Sequence, residues 1–350
     1  MNTLIQLTDR GLFCPIGDFY IDPWRNVPRA LITHAHADHA RWGMDQYLAA
    51  APSATVLRTR LGANAQIDYL PYGESMVHNG VQISFHPAGH VLGSAQIRLE
   101  YRGRIEVISG DYKLHRDATC QPFEPIRCHL FLTETTFGLP IYRWPDPETI
   151  AADINAWWKS NAEQGLTSII YGYALGKSQR MLAMLDPGIG PIHTHGAVEK
   201  LTLAYREAGV PLPPTTPVSA MPRNHRWAGS MIIAPPSAHG STWIRRFAPF
   251  SSGLASGWMT IRGTRRRKAV DRGFILSDHV DWPTLLEAID ATQAEEIWLT
   301  HGYTAPVCRH LQDQGKRALP LQTHFAGELD DTTPESESES DSDSESVSAS

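Results

Sequence analysis

The stretch "LITHAHADHARWG", residues 31–43, places His34, His36, Asp38 and His39 within six positions, directly behind the apolar run "RALIT". The run reads as a strand, and the histidine-rich segment as the turn that leaves it. Two histidines at i and i+2 reach one metal from such a loop, while Asp38 and His39 face the other way and reach a second. Imidazole and carboxylate are the ligands that suit zinc in an open site. A two-metal centre then demands further ligands at strand ends or in loops, one of them a carboxylate able to bridge. "HPAGHVLGS" offers His90 after the strand "VQISFHP", "VISGDY" offers Asp111 at a strand end, and "WLTHG" offers His301 after a late strand. Taken singly, each reads more readily as a hydrogen-bonded structural residue than as a ligand; together they complete the set.

The chain around this turn has 350 residues and 42% hydrophobic content, enough to bury a large core in one large domain or two ordinary ones. Cys14, Cys120, Cys128 and Cys308 are scattered without C-x-x-C spacing, which argues against a disulfide framework or a cysteine zinc site and for reduced thiols in the cytoplasm. No basic n-region with an apolar h-region opens the sequence, and no stretch approaches the ~18 apolar residues of a membrane span, so a soluble, non-exported protein is expected.

The net charge of −6 conceals two regions of opposite sign. Residues 328–350, "ELDDTTPESESESDSDSESVSAS", hold nine acidic residues and no basic one, so residues 1–327 carry +3. That tail buries too little apolar surface to fold and is expected to be disordered, as a solubilising segment or as a competitor of an anionic substrate. The positive charge gathers in "IRGTRRRKAVDRG", where Arg265, Arg266, Arg267 and Lys268 form either a solvated face or a contact for a phosphate backbone.

Strands and helices interleave along the chain, which makes it α/β. "AQIRLEYRGRIEVISGD" alternates apolar and polar residues on both sides of an Arg-Gly turn, a hairpin signature. Helical patterns begin at "DPET" (146–149) and at "PTLLEAIDA" (283–291), and strands are expected at "TSIIYGY" and "EEIWLTHG". "VPLPPTTPVSAMP" (210–222) reads as a connection, and no internal repeat is found.

The order of Asp22 in "FYIDP", the H-x-H-x-D-H turn, His90, Asp111 and His301 resembles the metallo-β-lactamase superfamily. That resemblance implies a four-layer αβ/βα sandwich with a dinuclear site at one edge, holding zinc or else manganese. The first metal would take His34, His36 and His90, and the second Asp38, His39 and His301. Asp111 would bridge, and Asp22 would orient a ligand histidine. "LTETTFG" with Glu134, "YALGKSQRML", "LSDHVDW" with His279 and "LTHG" resemble the nucleic-acid-processing β-CASP branch, which includes Artemis-like DNA nucleases and the endonuclease that cuts pre-messenger RNA. More narrowly, "GHVLGSAQ", "PPSAHGSTW" and "RGTRRRKAVDRGFILSDHVDW" look like the bacterial DNA ligase-associated exonuclease family, over nearly everything up to about residue 327.

The resemblance implies a metallo-β-lactamase domain in two parts, 1–165 and 274–327, around an inserted β-CASP-like domain, 166–273. It also implies a metal-dependent DNA exonuclease of DNA repair that attacks with a metal-activated hydroxide. His279 would be the general acid, oriented by Glu134, with Asp38 and Asp22 completing the catalytic set. A ribonuclease of the same branch is the alternative, and a non-catalytic nucleic-acid-binding scaffold a third reading. The substrate would be single-stranded or end-containing DNA, and the family's name suggests association with a DNA ligase and a helicase; no membrane is implicated. "GYALGKS" has one residue too few between its glycines for an ATP-binding loop. As a glycine turn and helix start carrying Lys177 and Arg180 it is instead expected to meet a substrate phosphate. His193 and His195 in "HTHG" read either as inserted-domain surface near substrate or as structural residues.

Overall fold

Alternating apolar residues in the first third of the chain supply most strands of two mixed sheets that share one core. The computed structural model describes residues 3–261, 263 and 269–323. The acidic tail and the residues Arg265, Arg266, Arg267 and Lys268 therefore lie outside the described residues.

The first sheet takes its strands in chain order: Gln6–Leu7, Leu12–Cys14, Phe19–Ile21, Arg29–Ile32, Gln46–Ala50 and Ile67–Leu70. The second begins as an antiparallel meander, Ser75–His78, Val81–Pro87, Ala95–Tyr101 and Arg104–Ile108. It continues in parallel through Leu130–Glu134, Glu296–Thr300 and Arg317–Pro320. Inward residues of the two sheets, among them Phe19, Ile21, Leu31, Ile83, Phe85, Ile97 and Leu99, pack into one apolar cluster. This is the period-two alternation expected of strands buried on one face.

Helices cover the opposite faces. Val56 and Leu57 of the helix Ala54–Leu61 pack with Ala30, Ile32 and Tyr47. Leu285 and Ile289 of the helix Trp282–Thr292, with Val307 and Leu311 of the helix Thr304–Asp313, pack with Phe131, Ile297 and Leu299. The helix at 282 starts where it does because Asp281 caps it, accepting from the Thr284 amide at 3.1 Å, and because Pro283 falls in its first turn, where no amide is required.

Between the adjacent strands Leu130–Glu134 and Glu296–Thr300 the chain makes a long excursion. Residues 167–274 form a third, all-parallel sheet, with Thr167–Tyr171 flanked by Met231–Ala234 and Phe250–Ala255. The proline-rich connection contains one element that composition hides: Thr216–Pro217 is a two-residue edge strand beside Ile192–Thr194. An edge position tolerates proline because its missing amide leaves no ladder bond unmade. His193 is buried at 3% exposure against Trp227 and His225, so the surface reading of this histidine is corrected to a structural one. No helix among the described residues is long and apolar enough to cross a membrane.

Candidate metal centre

The strand Arg29–Ile32 delivers Thr33 and His34 to the sheet's end, where amides of His39 and Ala40 both bond the His36 carbonyl, at 3.2 and 2.8 Å, and close a tight turn. The turn divides its side chains into two groups. His34 Nε2 lies 3.1 Å from His36 Nδ1, and His36 Nδ1 lies 3.0 Å from His90 Nε2. Asp111 Oδ2 is 3.5 Å from His34 Nε2 and 3.8 Å from His90 Nε2. On the other side His39 Nε2 stands 3.6 Å from Asp38 Oδ2 and 3.7 Å from the same Asp111 oxygen, and the His301 ring stacks on His39 with centroids 5.5 Å apart. Within each group, His34/His36/His90/Asp111 and Asp38/His39/His301, one ligand atom per residue lies within 4.8 Å of the others.

The far nitrogens explain why the near ones face inward. His36 Nε2 donates to the Leu175 carbonyl at 3.2 Å, and His90 Nδ1 to the Asp278 carbonyl at 2.8 Å. A carbonyl only accepts, so both protons sit on the outer nitrogens and the inner ones present lone pairs. His34 Nδ1 meets Thr33 Oγ1 at 3.1 Å, while that hydroxyl donates to Asp22 Oδ2 at 2.5 Å. Three imidazole lone pairs therefore converge, with His36 Nδ1 3.1 and 3.0 Å from the other two, an arrangement that repels unless a cation sits among them.

The electrostatics agree. Burial holds the His34 and His90 imidazoles well below their usual range, His36 at about 4 and His301 at about 3, so all four are neutral at pH 7, the form that ligates. Burial pulls His39 the same way, but the facing carboxylates of Asp38, Asp111 and Asp22 prevail and push it to about 10. Burial pushes the Asp111 carboxyl up to about 7 against the pull of His39, and its buried Oδ1 has no hydrogen-bond partner. A carboxylate so placed suits a cation shared between the two groups. The clusters thus have the composition and spacing of a dinuclear divalent-metal site of the zinc type.

Asp22 holds the turn from beneath. It accepts the Thr33 amide at 2.8 Å and His39 Nδ1 at 2.7 Å, turning His39 Nε2 toward Asp38 and Asp111. Asp22→Asn removes the charged acceptor, and the zinc dissociation constant, measured by competition with a chromophoric chelator, is expected to rise about 10–100-fold with the far-ultraviolet circular dichroism unchanged.

Glu134 and His279, 145 residues apart, form a separate pair: His279 Nδ1 lies 3.0 and 2.8 Å from the two Glu134 oxygens. Glu134 also accepts from the Tyr112 amide at 2.9 Å and Thr136 Oγ1 at 2.5 Å. Burial alone would push this carboxyl up, but His279 and those donors hold it below the usual carboxylate range. The His279 ring sits 4.7 Å from the His90 ring, so the pair borders the first ligand group.

Glycine makes two of these approaches possible. A Cβ on Gly110, at φ 57°, would lie 2.7 Å from Thr33 Cβ, and one on Gly302, at φ 58°, would lie 2.5 Å from the Thr135 carbonyl. Asp22 and His301 themselves have positive φ, 43° and 60°, the kind of backbone outlier that gathers at functional sites.

Two expected nucleic-acid contacts are corrected. Lys177 is 0% and Arg180 3% exposed, because both turn inward from the helix Lys177–Met184 to Asp278, at 3.9 and 3.0 Å. A phosphate backbone does not reach them. The carbonyls of Leu175 and Asp278, the Thr33 hydroxyl and Lys113 are site features that the sequence reading missed; position beside His279 and Asp111 was the available signal for Asp278 and Lys113.

No protein-family model matches the chain. A protein named probable DNA ligase from Opitutus terrae is 30% identical over 88% of the chain, which corresponds to 30% of that protein. An RNase J-like protein from Methanocaldococcus jannaschii is 27% identical over 38% of the chain and 34% of its own length. Further partial matches, over 35–54% of the chain, have names of cleavage and polyadenylation factors and endoribonucleases. The chain spans about a third or less of the length of the first of these relatives. A crystal structure of a protein of unknown function from Enterococcus faecalis V583 superposes with a TM-score of 0.57, at 11% identity, covering 85% of this chain and 79% of that one, a likeness of fold.

Proposed function

We propose that the chain is a metal-dependent nuclease of the metallo-β-lactamase/β-CASP fold family, hydrolysing phosphodiester bonds. The observation that carries this reading is the pair of ligand groups sharing Asp111, bordered by the buried His279–Glu134 pair. In the same reading residues 1–165 and 274–327 form the four-layer αβ/βα sandwich, and 166–273 the inserted β-CASP-like unit; the separate third sheet supports that division.

Two divalent cations in this site would supply Lewis-acid charge that lowers the pKa of a water and offsets the charge of the phosphate. His34, His36, His90 and Asp111 would hold the first, and Asp38, His39 and His301 the second, with Asp111 facing both. The remaining work falls to the chain. His279 would act in its doubly protonated form: Glu134 holds the Nδ1 proton, and Nε2, turned away from the carboxylate, is placed to give its own proton to the leaving oxygen. Glu134 stays ionised and fixes that orientation, and Asp22 does the same for His39.

The names of the relatives divide over the polymer. The names of endoribonucleases and of an RNase J-like protein are the greater number and favour a ribonuclease over the DNA exonuclease expected from sequence. The DNA reading rests on a different observation, the match to a probable DNA ligase across 88% of the chain. A time course on DNA and RNA of one sequence, each labelled separately at its 5′ and 3′ ends, with zinc or manganese and with His34→Ala as control, decides between them. Stepwise loss of DNA from one end supports the exonuclease and RNA-only cleavage the ribonuclease. Turnover of neither, or turnover undiminished in His34→Ala, contradicts the proposal.

A further inference from the structure

Two of the three imidazoles of the first ligand group owe their orientation to backbone outside the first two sheets. The Leu175 carbonyl, which holds His36, lies in the turn that opens the helix Lys177–Met184, beside the third sheet. The Asp278 carbonyl, which holds His90, lies just past that sheet's last strand, Arg272–Phe274. These acceptors are 103 positions apart in the chain, so something must hold them together on the two histidines.

A buried ionic network does so. Arg180 Nη1 donates to the Ser277 carbonyl at 2.5 Å and to Asp278 Oδ1 at 3.0 Å, which ties the helix bearing Leu175 at its entrance to the segment bearing Asp278. Lys177 Nζ stands 3.9 Å from Asp278 Oδ2. From the second sheet's side Lys113, two residues past Asp111, reaches Asp278 Oδ1 at 3.8 Å and pairs with Asp117. Lys113, Lys177, Arg180 and Asp278 are each at most 4% exposed.

Buried charges on this scale are weak stabilisers, since their desolvation offsets most of their attraction. What they provide is register: one carboxylate fixed by three cations from two sides sets where its own backbone carbonyl points. We infer that Asp278, with Arg180, Lys177 and Lys113, is a positioning device that selects the ligating tautomers of His36 and His90, so that the segment carrying the third sheet governs affinity at the first metal position. The inference rests on the dinuclear-metal reading and assigns Lys177 and Arg180 a use other than the phosphate contact expected of them.

A general loss of fold would weaken both metal positions; a positioning role weakens one. The test therefore isolates each position. In a His301→Ala background, which leaves the first position, Asp278→Asn is expected to raise the zinc dissociation constant about 10–100-fold by chelator competition. In a His36→Ala background, which leaves the second, the same change is expected to shift it by no more than about twofold. Arg180→Met should reproduce the asymmetry, and if that protein does not fold, Arg180→Lys is measured in its place. Equal weakening at both positions, or none at the first, overturns the inference while leaving the metal centre intact. Wild-type protein that takes up no zinc overturns the metal reading itself, and the inference with it.

Discussion

Asp111→Asn is expected to lower turnover at least about 10³-fold while the protein stays folded. The activity loss follows from position: Asp111 Oδ2 is a carboxylate oxygen within 4 Å of the inward-facing Nε2 atoms of both ligand groups, His34 and His90 on one side and His39 on the other. A metal's charge is worth several kcal/mol at the transition state, and each ~1.4 kcal/mol is tenfold in rate, so losing the shared anionic ligand costs about three decades or more. The fold survives because burial already pushes this carboxyl up to about 7, and a neutral amide of the same shape is close to the form the metal-free site prefers near neutrality. Single-turnover rates, zinc content and the thermal midpoint together check the result. An unfolded variant, or one that keeps its rate, contradicts the bridging role.

His279→Ala is expected to lower the rate about 10²–10⁴-fold, the usual worth of a positioned proton donor. Zinc content should be unchanged, because His279 pairs with Glu134 and borders the ligands without being one of the seven residues of the two ligand groups. The decisive readout is the leaving group. On a nucleotide p-nitrophenyl diester the departing phenolate needs no proton, so the defect should shrink toward wild-type; on a natural phosphodiester it should remain. The same loss on both substrates would assign His279 to structure. Glu134→Gln should follow this pattern more weakly, since it disturbs the orientation of the imidazole and leaves the imidazole in place.

The clustered residues of the candidate metal centre were legible because they announce themselves by residue type. His34, His36, Asp38 and His39 are neighbours in the chain, and their spacing alone implies convergence. His90, Asp111 and His301 needed one further idea, that ligands sit at strand ends, and the structure places each just past a strand: Val81–Pro87, Arg104–Ile108 and Glu296–Thr300. Glu134 and His279 are 145 residues apart, and only a resemblance could pair them.

What sequence could not convey was burial of charge. Lys177 and Arg180 follow a glycine turn, and in one dimension they read as exposed cations. They turn inward because Asp278, about a hundred residues later, supplies the countercharge, and no local pattern encodes that encounter. The carbonyls of Leu175 and Asp278 were beyond reach for a related reason, since a backbone oxygen has no residue type. His193 left two readings open in the sequence, surface or structure, and burial decides for structure: a tryptophan 34 positions later covers it.

Elemental analysis of purified protein active on a phosphodiester tests the central claim most directly. The account predicts about two divalent transition-metal ions per chain, removed together with activity by a chelator and restored with it on reconstitution. Fully active protein containing no transition metal would contradict it.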